Sequence, residues 1–241
     1  MLMKLQHIQW FAKLQAKSAI EQHPALFLTL LRLKHRRSDF RDRIVSPDSS
    51  ICIEGFYRSA NSFAVRCFRA ANDVEDYSPR IATHVHSSAH VRAALKLGIP
   101  TLVLIRPPRA TVVSTKAWMI QLKKIPNARS YPLEFLLSSY IQFYCDLLPL
   151  RGRFVTANFD EVTEDFGGII GHVNDRFQAQ FKLFNHSDLN VQQIFDSSKV
   201  HLSPSAERDA IKQSIYEEFE SIEMNETYRV ACDVYDRFLT H

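Results

Sequence analysis

The chain has 241 residues, 46% of them apolar, and a formal net charge of +4 at pH 7. This length fits one large α/β domain with helical additions, and the apolar content suffices for a sizeable core. Only 6 glycines and 10 prolines are present, which argues against an all-β protein with many tight turns. The mild positive charge suits anionic ligands but is too weak to indicate nucleic acid.

The cysteine spacing and the hydropathy pattern predict a cytoplasmic protein. No CxxC pair and no Cys/His metal spacing occurs, so we expect reduced thiols and no bound metal. The cysteines are Cys52, Cys67, Cys145 and Cys232. The longest apolar stretch, residues 25–33, is too short to span a bilayer, and the N-terminus lacks the apolar run of a signal peptide. Residues 4–35 fit either an amphipathic helix in weak contact with a membrane surface or packing onto the domain, and we favour packing.

Strands and helices are predicted to alternate along most of the chain. Apolar spacings of three and four predict helices at 4–20, 25–36, 59–71, 90–97, 110–122, 133–148, 166–181, 204–219 and 226–239. Aliphatic and β-branched runs predict strands at 51–54, 80–85, 100–105 and 153–159. This alternation predicts a three-layer α/β/α fold with a central parallel sheet and extra helices at both ends. We expect a single domain over 1–241, with an N-terminal helical extension at 1–45 and C-terminal helices at 204–241.

The segment 55–62 joins the first predicted strand to a helix in the frame of a phosphate-binding P-loop, G-x-x-x-x-G-K-[ST]. Ala60 replaces the second glycine and Asn61 replaces the lysine. Backbone N–H groups at the helix N-terminus still favour an anion, and Arg58 adds a positive charge. The missing lysine disfavours ATP hydrolysis and kinase chemistry. The alternative interpretation is an ordinary helix capped by Ser59, with Arg58 on the surface.

A second candidate phosphate site follows the aliphatic strand at 100–105. Arg106 stands at the carboxyl end of this strand, where open α/β sheets bind ligands, and Ser114 follows eight residues later in the next predicted helix. Both side chains could reach one phosphate group, with the arginine as a bidentate donor. The alternative is a surface turn that carries two charged residues.

Together the segments 57–63 and 106–114 resemble the sulfotransferases that use 3′-phosphoadenosine-5′-phosphosulfate (PAPS). The first segment, YRSANSF, is similar to the family motif P-[KR]-S-G-T-[TS]-[WF]. The second, RPPRATVVS, is similar to R-[DN]-P-R-D-x-x-x-S and keeps the same interval from arginine to serine. The resemblance implies a P-loop NTPase-like fold, PAPS as donor, 3′-phosphoadenosine-5′-phosphate (PAP) as product, and no metal.

The resemblance also implies roles for individual residues. The 5′-phosphosulfate would be held by the loop residues Arg58, Ser59, Ala60, Asn61 and Ser62. The 3′-phosphate would be held by Arg106 and Ser114, and the adenine would lie near Phe63. Residues 158–162 are similar to the family's Y-E-D-L segment, which places Phe159 near the base as well.

The expected catalytic groups are a base for the acceptor hydroxyl and a cation for the leaving phosphate. His84 lies at the end of a predicted strand, similar to the family's K-T-H segment, and is the candidate base. His86 is the second candidate, and Glu54 fits either a base or a buried structural group. Ala82 stands where the family has a lysine, so Arg58 would act alone as the catalytic cation.

The resemblance therefore implies a PAPS-dependent sulfotransferase that acts on a hydroxyl or amine of a small-molecule or carbohydrate acceptor, with no nucleic-acid partner. The alternatives are a non-catalytic nucleotide-binding relative, a degenerate P-loop kinase, and a membrane-surface or nucleic-acid module using residues 4–43. Four aromatic residues fit either an acceptor cleft or the core, and we favour the core: Trp118, Tyr131, Tyr140 and Tyr144. The identity of the acceptor and the oligomeric state are not predicted.

Overall fold

The computed structural model describes residues 12, 14–74, 80–122, 128–196, 206–221 and 225–240. Four parallel strands form one sheet in the order β2–β1–β3–β4. These strands are β1 Ile51–Gly55, β2 Ile81–Thr83, β3 Thr101–Ile105 and β4 Val155–Asn158. All four predicted strands are therefore present. Strand β2 is shorter than predicted because the backbone turns at His84, where φ becomes 58°.

The described chain also contains α-helices, which we number from α1. They are α1 Pro24–Lys34, α2 Asn61–Asn72, α3 Ser88–Lys96, α4 Pro108–Gln121, α5 Leu133–Cys145, α6 Phe159–Glu164, α7 Phe166–Phe177, α8 Asp188–Asp196, α9 Ala206–Glu220 and α10 Glu226–Leu239. Short 3-10 helices cover Asp39–Arg43, Ala128–Ser130 and Leu148–Arg153. Residues 14–21 are also helical, and the rest of the helix predicted at 4–20 lies largely outside the described residues.

Helices cover both faces of the sheet, which confirms the predicted three-layer α/β/α fold. Alternate side chains of a strand point to opposite faces. In β3, Leu102 and Leu104 pack with Phe68 of α2 and Ile170 of α7. Val103 lies in the opposite core, formed largely by side chains of α4, α5 and α10. The continuous aliphatic run of β3 therefore reflects burial on two faces, as in other central parallel strands.

Three local differences from the sequence prediction have clear causes. Helix α7 ends at Phe177 rather than at 181, because Gln178 takes the left-handed conformation that closes the helix. Helix α6 starts within the segment predicted as the end of a strand, because Asn158 and Glu161 form a capping box. Helix α8 was not predicted, and its single buried residue, Ile194, leaves a weak apolar signal.

None of the helices in the described ranges combines the length and the apolar character that crossing a bilayer requires.

Candidate functional site

The loop after β1 begins at Gly55 because the neighbouring strand leaves no room for a side chain. A Cβ atom at Gly55 would collide with the carbonyl oxygen of Leu104 in β3. From Gly55 the chain passes under Tyr144, whose hydroxyl accepts from the backbone N–H of Phe56 at 3.3 Å and donates to the carbonyl of Leu104 at 2.8 Å. The loop is thus held against the carboxyl end of β3.

Backbone strain is concentrated around this loop. Among the described residues, six non-glycine residues have positive φ, and two of these close helices α2 and α7. The other four lie after β1 and β2, which are adjacent: Arg58 at 64°, Ala60 at 67°, His84 at 58° and His86 at 52°. Each such conformation costs about 1–2 kcal/mol for an L-residue, and strain of this kind clusters at functional sites.

The interpretation of Ser59 as a helix cap is wrong. Ala60 occupies the cap position of α2, in the left-handed conformation, and no side chain caps the helix. Ser59 is instead fully buried, with its hydroxyl 3.5 Å from that of Tyr144. Because no side chain in the described part of the chain accepts from them, the first N–H groups of α2 remain available to a ligand, and the first turn carries no acidic residue.

The two segments predicted to bind phosphate lie together. The Arg58 Nε donates to Ser114 Oγ at 3.2 Å, and the Arg106 guanidinium donates to the carbonyl of Arg58 at 3.2 Å. The Arg106 guanidinium also stacks on Phe159, 3.9 Å from the ring centroid. Residues that are more than forty positions apart in sequence therefore converge at the carboxyl ends of β1 and β3, the edge where open α/β sheets bind ligands.

The charge at this convergence is strongly positive. Burial, together with the nearby charges of Arg208 and Arg106, lowers the pKa of Arg58 to about 10. Burial also lowers the pKa of Arg106, although the charge of Asp160 acts the other way. In the described part of the chain, neither Arg58 nor Arg106 forms an ion pair with a carboxylate. Such a group of partly desolvated cations favours an anionic ligand.

Arg208 is a third cation, and it lies outside both segments predicted to bind phosphate. Arg208 itself is buried in α9 and donates to Gln121 Oε1 at 2.8 Å. Its nearness to Arg58 depends on how α9 packs against α4, which no local sequence signal reveals.

Two further loop residues point inward. The Asn61 Nδ2 donates to the carbonyl of Phe56 at 2.9 Å, so this side chain closes the loop. Its Oδ1 is buried and has no hydrogen-bond partner among the described residues. Phe63 is buried between the rings of His186 and Phe195, at centroid distances of 5.9 and 5.8 Å. The predicted adenine contact of Phe63 therefore concerns a side chain that already belongs to the core.

The two candidate bases have different surroundings. Both ring nitrogens of His84 face hydroxyls: Nε2 lies 3.0 Å from Ser62 Oγ, and Nδ1 lies 3.0 Å from Thr83 Oγ1. Burial, with the nearby His86, lowers the pKa of His84 to about 3, so the ring is neutral at physiological pH. The Nδ1 of His86 donates to the carbonyl of Gly55 at 2.8 Å, which makes the Nε2 of the neutral ring an acceptor.

Glu54 is a buried structural carboxylate beneath the site. Its two oxygens accept from the backbone N–H of Val85 at 2.7 Å, from that of His86 at 3.2 Å, and from His90 Nδ1 at 2.9 Å. The His90 Nε2 accepts from the N–H of Val45 at 2.7 Å, so His90 is a neutral donor to an ionised Glu54. Burial alone raises the pKa of Glu54, but the bond from His90 and the other contacts outweigh it and lower the pKa.

This network gives Glu54 a role that sequence reasoning left open. It ties the strained turn 84–86 to the end of β1 and so fixes where both candidate bases lie. Because all three donors are in place, the ionised Glu54 carries no proton that it could donate. Because Glu54 is fully buried, neither of its oxygens is exposed. The position of a lone Glu at a strand end was the only sequence signal, and its partners lie 31 to 36 residues later.

The four aromatic residues divide into two pairs. Tyr140 and Tyr144 are fully buried, as favoured from the sequence, and the Tyr140 hydroxyl donates to the carbonyl of Arg106 at 2.9 Å. Trp118 and Tyr131 are only half-buried, and the Trp118 ring stacks near Tyr57 at a centroid distance of 6.5 Å. Tyr57 in turn contacts the His86 ring at 4.3 Å. Trp118, Tyr57 and His86 therefore form an aromatic wall beside the loop.

Comparison with family models, with curated proteins and with solved structures gave no match to this chain. Among the described residues, no group of three or more His, Cys, Asp or Glu side chains is arranged to hold a metal ion. The functional interpretation therefore depends on the residues of the site alone.

Proposed function

We propose that this chain is a PAPS-dependent sulfotransferase that transfers a sulfuryl group to a hydroxyl or amine of a small acceptor. The observation that carries the proposal is the convergence of Arg58, Ser114 and Arg106 from two separate strand ends. A donor with a 5′-phosphosulfate and a 3′-phosphate has two anionic ends and needs two such groups of donors. ATP needs the loop lysine, and Asn61 stands in its place with its amide turned back onto the loop.

The residues present fit such a donor. Arg58, Ser59, Asn61 and Ser62, with the open N–H groups of α2, would hold the 5′-phosphosulfate. Arg106 and Ser114 would hold the 3′-phosphate, with Phe159 near the adenine. The charges of Arg208 and Arg106 disfavour the charged form of Arg58 in the free protein, and a bound polyanion would offset this repulsion.

His84 is the proposed base. Its neutral ring can accept the acceptor's proton at Nε2, which now faces Ser62, so the acceptor hydroxyl would take the place of the serine hydroxyl. As the acceptor oxygen bonds to sulfur, the bond between sulfur and the phosphate oxygen breaks, and Arg58 stabilises the charge that stays on the phosphate. Positioning by the strained loops would supply much of the rate enhancement.

A nucleotide-binding protein without transferase activity is the second candidate function. It is favoured by Ala82, which is fully buried in β2 and paired with Cys52, so no cation stands where the family has its lysine. Under this alternative, the nucleotide would bind through Arg58 and Arg106, but no acceptor would be sulfated.

Calorimetry with PAP tests the proposal directly, with Mg-ATP as the comparison ligand. We expect PAP to bind more tightly than Mg-ATP, and Arg106→Ala to weaken PAP binding about 10- to 150-fold, since a partly buried phosphate loses a charged donor. Arg176→Ala is the matched control, because Arg176 is exposed on α7. Absence of PAP binding at high micromolar concentration would refute both candidate functions.

Release of PAP from PAPS across an acceptor panel separates the two candidates. A sulfotransferase releases PAP only when a suitable acceptor is present, and His84→Asn should abolish this release while PAP binding is retained. A protein that binds PAP but sulfates no hydroxyl or amine in a broad panel is the non-catalytic relative.

A further inference from the structure

Helix α1 carries apolar side chains on two opposite faces. Leu28 faces inward and packs in a core cluster that includes Ile44 and Val45. Leu26, Leu30 and Leu33 are 50%, 45% and 62% exposed. At about 100° per residue, these three leucines lie within an arc of roughly 60° on the side opposite Leu28. We call them the leucine stripe.

Exposed cations lie at the carboxyl end of the same helix. Lys34, Arg36, Arg37 and Arg41 are all exposed, and we call them the basic patch. The acidic residues of this segment are the exposed Asp39 and the half-buried Asp42, so positive charge is in excess. Arg32 is not part of the patch, because its guanidinium donates to the carbonyl of Val45 at 2.6 Å.

We propose that the leucine stripe and the basic patch together dock the protein on the surface of an anionic phospholipid bilayer. Helix α1 has 11 residues and is about 16 Å long, so it would lie along the surface rather than enter it. The leucines would enter the boundary between headgroups and acyl chains, and the arginines would contact lipid phosphates. The proposal does not depend on the proposed sulfotransferase activity.

Charge and buried area favour a bilayer, rather than a second copy of the chain or another protein, as the partner that covers the leucine stripe. A symmetric dimer would pair the same surface of two copies, and α1 carries no acidic residue that could complement the basic patch of the partner copy. A stable protein partner buries about 800 Å² on each side, far more than three half-exposed leucines present. A lipid surface needs only shallow insertion with electrostatic support, which matches a short apolar stripe flanked by cations.

Co-sedimentation with vesicles tests the proposal on the full chain. We expect binding to phosphatidylcholine vesicles that contain about one third phosphatidylserine, little binding to phosphatidylcholine alone, and weaker binding as salt rises. The double variant Leu30→Gln/Leu33→Gln should lose about tenfold in affinity or more. Its matched control is Leu183→Gln/Leu189→Gln, which changes two leucines that are 55% and 68% exposed elsewhere.

A second pair of variants isolates the charge. Arg36→Gln/Arg37→Gln should lose about tenfold in affinity or more, while Arg176→Gln/Arg229→Gln, with the same change in net charge at exposed sites on α7 and α10, should bind as the wild type does. Circular dichroism checks that every variant folds. The proposal is overturned if the wild type ignores anionic vesicles, if the control pairs lose as much binding as the test pairs, or if the leucine variant dissociates a dimer in size-exclusion chromatography.

Discussion

Replacing Glu54 by glutamine is expected to destabilise the protein strongly, although the change removes no volume. The carboxylate accepts three hydrogen bonds, with Val85 N–H and His90 Nδ1 on one oxygen and His86 N–H on the other. A glutamine has one acceptor oxygen, and its NH₂ group can only donate. When the glutamine oxygen points toward Val85 and His90, the glutamine NH₂ group faces the N–H of His86. In the reversed orientation, the NH₂ group faces the N–H of Val85.

Both orientations of Glu54→Gln therefore leave at least one pair of buried donors facing each other. A change of the His90 tautomer does not help, because the Nε2–H of that ring would then face the N–H of Val45. A buried unsatisfied donor costs about 1–3 kcal/mol, and two are created, so we expect a loss of about 2–6 kcal/mol. At about 2–4 °C per kcal/mol for a chain of this size, that corresponds to a decrease of roughly 4–24 °C in Tm.

Urea unfolding followed by circular dichroism measures this loss, and a thermal scan gives the decrease in Tm. Glu161→Gln is the matched control, since glutamine can serve in the capping box of α6, and we expect it to change the free energy of unfolding by less than about 0.5 kcal/mol. If Glu54→Gln unfolds at the same urea concentration as the wild type, the buried ionised network is not as described.

Three further predictions concern the same loops. Folding lowers the pKa of Glu54 and lowers that of His84 to about 3. Both groups therefore contribute stability that is present at neutral pH and is lost as pH falls. The loss begins below about 6.5 for His84 and below about 4.5 for Glu54. His84→Asn should flatten the free energy of unfolding between pH 6.5 and 3, and an unchanged slope would contradict this. Ala60→Gly should stabilise the protein by about 0.5–1 kcal/mol in urea unfolding, because glycine adopts a φ of 67° without strain, and a clear destabilisation would count against that conformation. Gly55→Ala should lower the free energy of unfolding several-fold more than Gly98→Ala does, because a Cβ at Gly55 collides with β3, whereas at Gly98 it meets open space and adds only left-handed strain. Equal losses would show that β1 and β3 are farther apart at this point.

The pattern of the strands was accessible from sequence because it depends on local composition. Ile51–Gly55 and Thr101–Ile105 are β-branched and aliphatic runs with turn residues near their ends, and each was located to within one residue. The predicted ends of strands were less accurate where they depend on contacts with distant segments. The segment predicted at 80–85 keeps only Ile81–Thr83 as a strand, since Glu54 in another strand binds the backbone of the following turn.

The sequence alone determined the order of the two segments predicted to bind phosphate, the strands that precede them and the residue types that would meet an anion. The tertiary structure decided that β3 lies next to β1, so that Arg58 reaches Ser114 and Arg106 reaches the backbone of Arg58. It also decided that Glu54 is a structural anchor and that His84 faces Ser62 in the loop. These facts depend on strand pairing and on hydrogen bonds between distant segments, which residue type and spacing do not encode. The loop that opens at Gly55 is therefore a local feature of the sequence, but the cationic site around it is a product of the fold.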